Sequence, residues 1–149
     1  VKVAERFAQH LADKNADVAF INKRRPKGTT NIAIAKEVIG EVEGRLCILT
    51  DDMIDTGGTI VSAAELLLER GAKEVWAMAT HGVLSGPAVE RLQNSPIDRV
   101  VLTNTLPLPP EKKFAKVEVL SVAKIIADAL AAVFDETSVS ELFDGENQS

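Results

Sequence analysis

Residues Leu46–Gly71, LCILTDDMIDTGGTIVSAAELLLERG, run from an apolar segment through three aspartates and a glycine pair into a second apolar pattern. Arg45 to Thr50, RLCILT, reads as a short buried strand. Ile60, Ala63, Ala64, Leu67 and Leu68 recur at helical spacing, and Gly71 stands where such a helix would stop. The unit is strand, loop, helix. Thr56, Gly57, Gly58 and Thr59 occupy the entry to that helix, where backbone N–H groups converge at the positive end of the helix dipole and suit a phosphate. Glycine lets the anion approach the backbone, and the threonine hydroxyls add donors. Asp51 and Asp52, at the strand end, would repel a phosphate but suit a sugar diol or a hydrated Mg ion. A ligand with a phosphate and vicinal hydroxyls satisfies both halves. The plain structural alternative is a turn capped by acids and closed by glycines. The loop has neither the Walker G-x-x-x-x-G-K-[ST] nor the dinucleotide G-x-G-x-x-G spacing.

The same alternation extends along the chain. Val3, Ala4, Phe7, Ala8 and Leu11 form one helical stripe, followed by a strand over DVAFI, Asp17–Ile21. Asn22 to Asn31, NKRRPKGTTN, reads as a basic, mobile loop, and a short strand is expected near Val38 and Ile39. KEVWAMAT, DRVVLT and KVEVL read as further strands, with Trp76 and Met78 in the core. SGPAVERLQN is a short helix, and Val122, Ile125, Ile126, Ala129, Leu130 and Val133 form the apolar face of another. Strands alternating with helices at this spacing imply an α/β fold, doubly wound, with a mainly parallel sheet and helices on both faces. Ligands bind such folds beyond the carboxyl ends of the strands, where loops from Asn22, Asp51, His81 and Asn104 are expected. His81 and Asn104 are expected to stabilise those loops.

With 149 residues, 46% of them hydrophobic, the chain fits one domain with a sizeable core. A net charge of -5 gives no basic face for nucleic acid, so any anion must be held locally. The single cysteine, Cys47, excludes an internal disulfide and fits a reducing, cytoplasmic setting. No apolar run approaches the ~18 residues of a membrane span. The chain opens on valine in mid-helix pattern without a cap, as a segment of a longer polypeptide would.

TDDMIDTGGT, Thr50–Thr59, is similar to the phosphoribosyl-diphosphate (PRPP) binding motif shared by type I phosphoribosyltransferases and ribose-phosphate diphosphokinases, or PRPP synthetases. The full D-D-M-I-D-T-G-G-T resembles the diphosphokinases more closely. NKRRPK, ATHGVLSGPAVERL, VVLTNTLPLP and TSVSELF resemble further segments of their carboxyl-terminal half, in the same order through almost the whole chain.

The resemblance implies a single phosphoribosyltransferase-like domain over residues 1–149, the C-terminal domain of a two-domain, Mg-dependent enzyme. It implies that Asp55, Thr56, Gly57, Gly58 and Thr59 hold the 5-phosphate of ribose 5-phosphate, and that Asp51 and Asp52 face the ribose hydroxyls and Mg. Lys23 and Arg25 match residues assigned to the transferring diphosphoryl group of ATP; without the resemblance, a basic triplet reads as a solvated loop. Ser138, Ser140 and Phe143 match a regulatory phosphate or ADP site between subunits, the alternative being a capped terminal helix. ATP is expected to depend on an amino-terminal half that these residues do not include, in a homo-oligomeric, hexameric parent, so the chain alone is expected to be inactive. Two other readings share the fold. A non-catalytic PRPP-sensing module would tend to lose Lys23 and Arg25, and a phosphoribosyltransferase would need a hood element that no segment here is free to supply.

Overall fold

The computed structural model describes residues 2–24 and 35–135. Helix α1 (Lys2–His10) leads through a 3-10 turn into β1 (Phe20–Arg24), which pairs antiparallel with β2 (Ala35–Ile39) in a two-stranded sheet of its own. Then follow β3 (Leu46–Ile54), α2 (Gly58–Glu69), β4 (Glu74–Gly82), α3 (Ala88–Gln93), β5 (Arg99–Thr103), β6 (Val117–Leu120) and α4 (Ala123–Phe134). Strands β3 to β6 form one parallel sheet in sequence order, β3-β4-β5-β6. The α/β class with a parallel sheet, expected from the alternation, is what the chain adopts. Right-handed crossovers between neighbouring parallel strands put α2 and α3 on one face of that sheet.

Strand pairing sorts the side chains by face. Ala77 pairs with Val100 and Ala79 with Leu102, so these four share a face with Val75. Val75, Ala77 and Val100 are 0% exposed and pack with Ile60, Ala64 and Leu67 of α2 and Ala88 and Leu92 of α3. Burying each Val, Leu or Ile side chain there contributes about 1.5–3 kcal/mol. Trp76 and Met78 point to the opposite face and are only half-buried. There the Arg99 guanidinium stacks over the Trp76 ring at 4.5 Å from its centroid and reaches Glu118 on β6 at 3.3 Å. Their placement in the core from sequence therefore holds only in part.

Three boundaries differ from the sequence reading. β1 covers Phe20–Arg24 rather than Asp17–Ile21, so Asn22, Lys23 and Arg24 belong to a strand and not to a loop. β1 pairs with β2 in a sheet of its own, so Asn22 belongs to that antiparallel pair and not to the parallel sheet. β3 continues through Asp51 and Asp52 to Ile54, because β4 keeps pairing with it: Asp51 lies opposite Ala79, and Met53 opposite His81. The ladder supplies backbone hydrogen bonds whatever the side chains are, so the strand outlasts its apolar run.

Candidate phosphate-binding site

The site is built where β3 ends and α2 begins. Ile54 is buried at the strand end, and the next three residues turn the chain into Gly58, the first residue of α2. The turn requires Gly57, whose φ of +74° lies in the left-handed region. A side chain there would cost roughly 1–2 kcal/mol in backbone strain. Gly57 is the N-cap of α2 and its carbonyl accepts from Val61 N–H at 3.1 Å, while no side chain caps the helix. The amides of the first helical turn have no acceptor within the helix and remain available to an anion. Thr56 and Thr59 are exposed beside them.

Asp51, Asp52 and Asp55 are all exposed. Asp51 Oδ1 accepts from Asp52 N–H at 2.9 Å, and Asp52 Oδ1 accepts from Met53 N–H at 2.8 Å. Each carboxylate is thereby steadied by one oxygen. Among the described residues no group of three or more His, Cys, Asp or Glu gathers as a metal site. A cation here would take its remaining ligands from a bound ligand and from water.

The sequence reading brought Asp51 to Thr59 into one neighbourhood, and the structure keeps them there on one strand, turn and helix start. Lys23 lies in β1, its backbone opposite Lys36. Arg25, Ser138, Ser140 and Phe143 lie outside the described residues. At the same edge of the sheet, His81 Nδ1 lies 2.8 Å from Thr105 Oγ1, and Asn104 Oδ1 accepts from Val122 N–H at 2.9 Å, so both residues hold loops together.

The support beneath the turn was not visible in the sequence. Arg91 of α3 donates to the Thr56 carbonyl at 2.5 Å, a contact between residues 35 apart. Val83 and Leu84 N–H donate to the Ile54 carbonyl at 3.1 and 3.0 Å, and Ser85 N–H donates to the Asp55 carbonyl at 3.0 Å. Leu84, 1% exposed, adopts a left-handed φ of +49° to do so, an uncommon conformation for a residue with a side chain. Lys112 Nζ in turn holds the Val83 carbonyl at 2.8 Å.

Comparison with known proteins gives a consistent result. The family model described as "Phosphoribosyl synthetase-associated domain" matches residues 12–144. A ribose-phosphate pyrophosphokinase of Caldanaerobacter subterraneus is 55% identical over 137 residues, covering 91% of this chain and 43% of that protein. One from Clostridium acetobutylicum is 50% identical over 146 residues, covering 98% and 44% respectively. The crystal structure of phosphoribosylpyrophosphate synthetase from Mycobacterium smegmatis superposes with a TM-score of 0.81 at 47% identity, covering 91% of this chain and 42% of that one. The chain thus spans less than half the length of these relatives. With the model match running over most of its residues and the fold shared with a solved synthetase, the chain belongs to the phosphoribosyl synthetase-associated domain family.

Proposed function

We propose that this chain is the ribose 5-phosphate-binding, carboxyl-terminal part of a ribose-phosphate diphosphokinase. The observation that carries the reading is the turn from β3 into α2, where Gly57 at φ +74° opens the first-turn amides of the helix beside Thr56 and Thr59. Thr56, Gly57, Gly58 and Thr59 hold the 5-phosphate; Asp55 orients the turn and meets a sugar hydroxyl. Asp51 and Asp52 take the ribose hydroxyls and Mg. Their fit to Mg rests on two exposed carboxylates, each with only one oxygen engaged by a neighbouring amide. Mg characteristically uses one or two carboxylates together with substrate oxygens and water.

In the parent enzyme the 1-hydroxyl oxygen of ribose 5-phosphate attacks the β-phosphorus of ATP and loses its proton to water, the bond from that phosphorus to the bridging oxygen breaks with its electron pair leaving on AMP, and PRPP and AMP result. Phosphoryl transfer of this kind is driven by positioning and by positive charge placed on the transferring oxygens. Mg held at Asp51 and Asp52 would supply part of that charge, and Lys23 and Arg25 add to it. The ATP contacts come from the other half of the parent, and Ser138, Ser140 and Phe143 form a regulatory anion site between its subunits. This division of labour is supported by the 42–44% of each relative's length that the chain covers.

Replacing both Asp51 and Asp52 by Asn tests the metal half of the site. Calorimetric titration with ribose 5-phosphate is expected to show Mg-dependent affinity in the unmodified protein and none of that dependence in the double variant. Equal Mg dependence in both proteins would refute the role given to these acids.

A further inference from the structure

Three successive carbonyls at the end of β3 are tied to the segment that follows β4. Ile54 O is held by the amides of Val83 and Leu84, Asp55 O by the amide of Ser85, and Thr56 O by the Arg91 guanidinium. In a trans peptide the carbonyl and the following N–H point in opposite directions. Tying these three carbonyls down therefore turns the amides of Asp55, Thr56 and Gly57 away from the β4–α3 segment. Gly57 N–H finds no acceptor among the described residues, which is the condition of an amide kept for a ligand.

Two of the three ties are backbone amides, fixed by the path of the chain. The third, at the peptide that carries Gly57 N–H, depends on one side chain. Gly57 is also the residue with the widest choice of peptide orientations, because glycine visits both signs of φ at little cost. Without a donor beneath it, the Thr56 carbonyl could swing outward and present its lone pairs where the phosphate binds. The guanidinium is placed closely enough to prevent this: a Cβ added at Gly58 would lie 3.3 Å from Arg91 Nη1, and one added at Gly57 would lie 3.4 Å from Leu92 Cγ. Helix α3 thus meets the underside of both glycines.

We propose that Arg91 is a positioning residue of the phosphate-binding turn, holding the Thr56–Gly57 peptide so that Gly57 N–H faces the 5-phosphate. The inference rests on the phosphate-binding reading given above. Arg91 does not touch the ligand; its effect passes through one peptide plane.

The test compares the full chain with its Arg91→Met and Arg91→Lys variants. Methionine keeps an apolar stem and removes the donors; lysine restores a cation whose donors sit on a single nitrogen. Ribose 5-phosphate with Mg is titrated by calorimetry, and the Gly57 amide is followed by NMR in the free proteins. Arg91→Met is expected to weaken binding roughly tenfold, the scale of one lost charge-assisted hydrogen bond, and to shift the Gly57 amide resonance. Arg91→Lys is expected to recover part of both. A folded Arg91→Met protein with unchanged affinity and an unchanged Gly57 resonance would overturn the positioning role while leaving the phosphate-binding reading intact. Absence of binding by the unmodified chain would instead overturn that reading and, with it, this inference. Should Arg91→Met fail to fold, Arg91→Gln takes its place in the same comparison.

Discussion

At the scale of single residues, backbone conformation and local polarity decide what each position can do. Gly57 was legible in the sequence because a glycine pair between a strand and a helix is a signal of local geometry, and its φ of +74° is what that signal encodes. Arg91 was not legible, because its contact with Thr56 joins residues 35 apart and no local pattern records it. Cys47 packs partly buried against the core, where burial pushes its thiol above the ordinary 9.0 and the nearby Arg45 offsets part of that rise. A raised folded value means that the folded chain holds the proton more tightly than the unfolded one. The resulting stability is complete below about pH 9.0 and is lost as pH rises through the higher folded value. Urea unfolding near neutral pH and again above pH 9.0 should therefore show a steeper loss of stability in the unmodified chain than in Cys47→Ala. Identical pH profiles would contradict the burial of this thiol.

At the scale of elements, Gly82 shows how tightly β4 and β5 are fitted beside the site. A Cβ built on Gly82 would lie 2.5 Å from Leu102 Cδ1, and Leu102 is only 2% exposed. The leucine cannot retreat into solvent, so Gly82→Ala should cost about 1–3 kcal/mol, as overpacking of a filled core does. A lowered urea midpoint with an unchanged slope would report that loss, and an unchanged midpoint would contradict the packing. The elements that the sequence located well, β3's apolar start, α2 and β4, are those whose burial period sets their boundaries. α2 ends at Glu69, just before the Gly71 stop signal. β1 and β2 were located poorly because FINKR and AKEVI carry no regular apolar period; their antiparallel ladder defines them, and hydropathy does not record it. The extension of β3 through two aspartates has the same origin: pairing with β4, not hydropathy, sets its end.

At the scale of the whole molecule, the alternation of strands and helices was sufficient to foresee a parallel α/β sheet, because parallel neighbours need crossover connections. Strand order within it was not encoded in any local pattern. The apolar stripes of α1 and α4 are legible in the sequence, but what covers them is not. Among the described residues Phe7, Ile125, Ile126 and Leu130 are exposed, and Phe134 is 84% exposed. Amphipathic period states that a face is apolar and does not state what covers it. The proposed division of the active site makes a separate prediction for Lys23. In a polypeptide carrying both halves, Lys23→Ala should cut turnover strongly while leaving ribose 5-phosphate affinity unchanged, as loss of a group acting on the transferring phosphoryl oxygens requires. Steady-state kinetics showing unchanged turnover would refute that role. The central claim, that the turn from β3 into α2 holds the sugar phosphate, is tested most directly by calorimetric titration of ribose 5-phosphate with Mg into the unmodified protein and into Gly57→Val. Valine cannot adopt φ +74° without strain and would displace the amides. The expected result is binding by the unmodified protein and none by the variant; equal binding by a folded Gly57→Val protein would contradict the account.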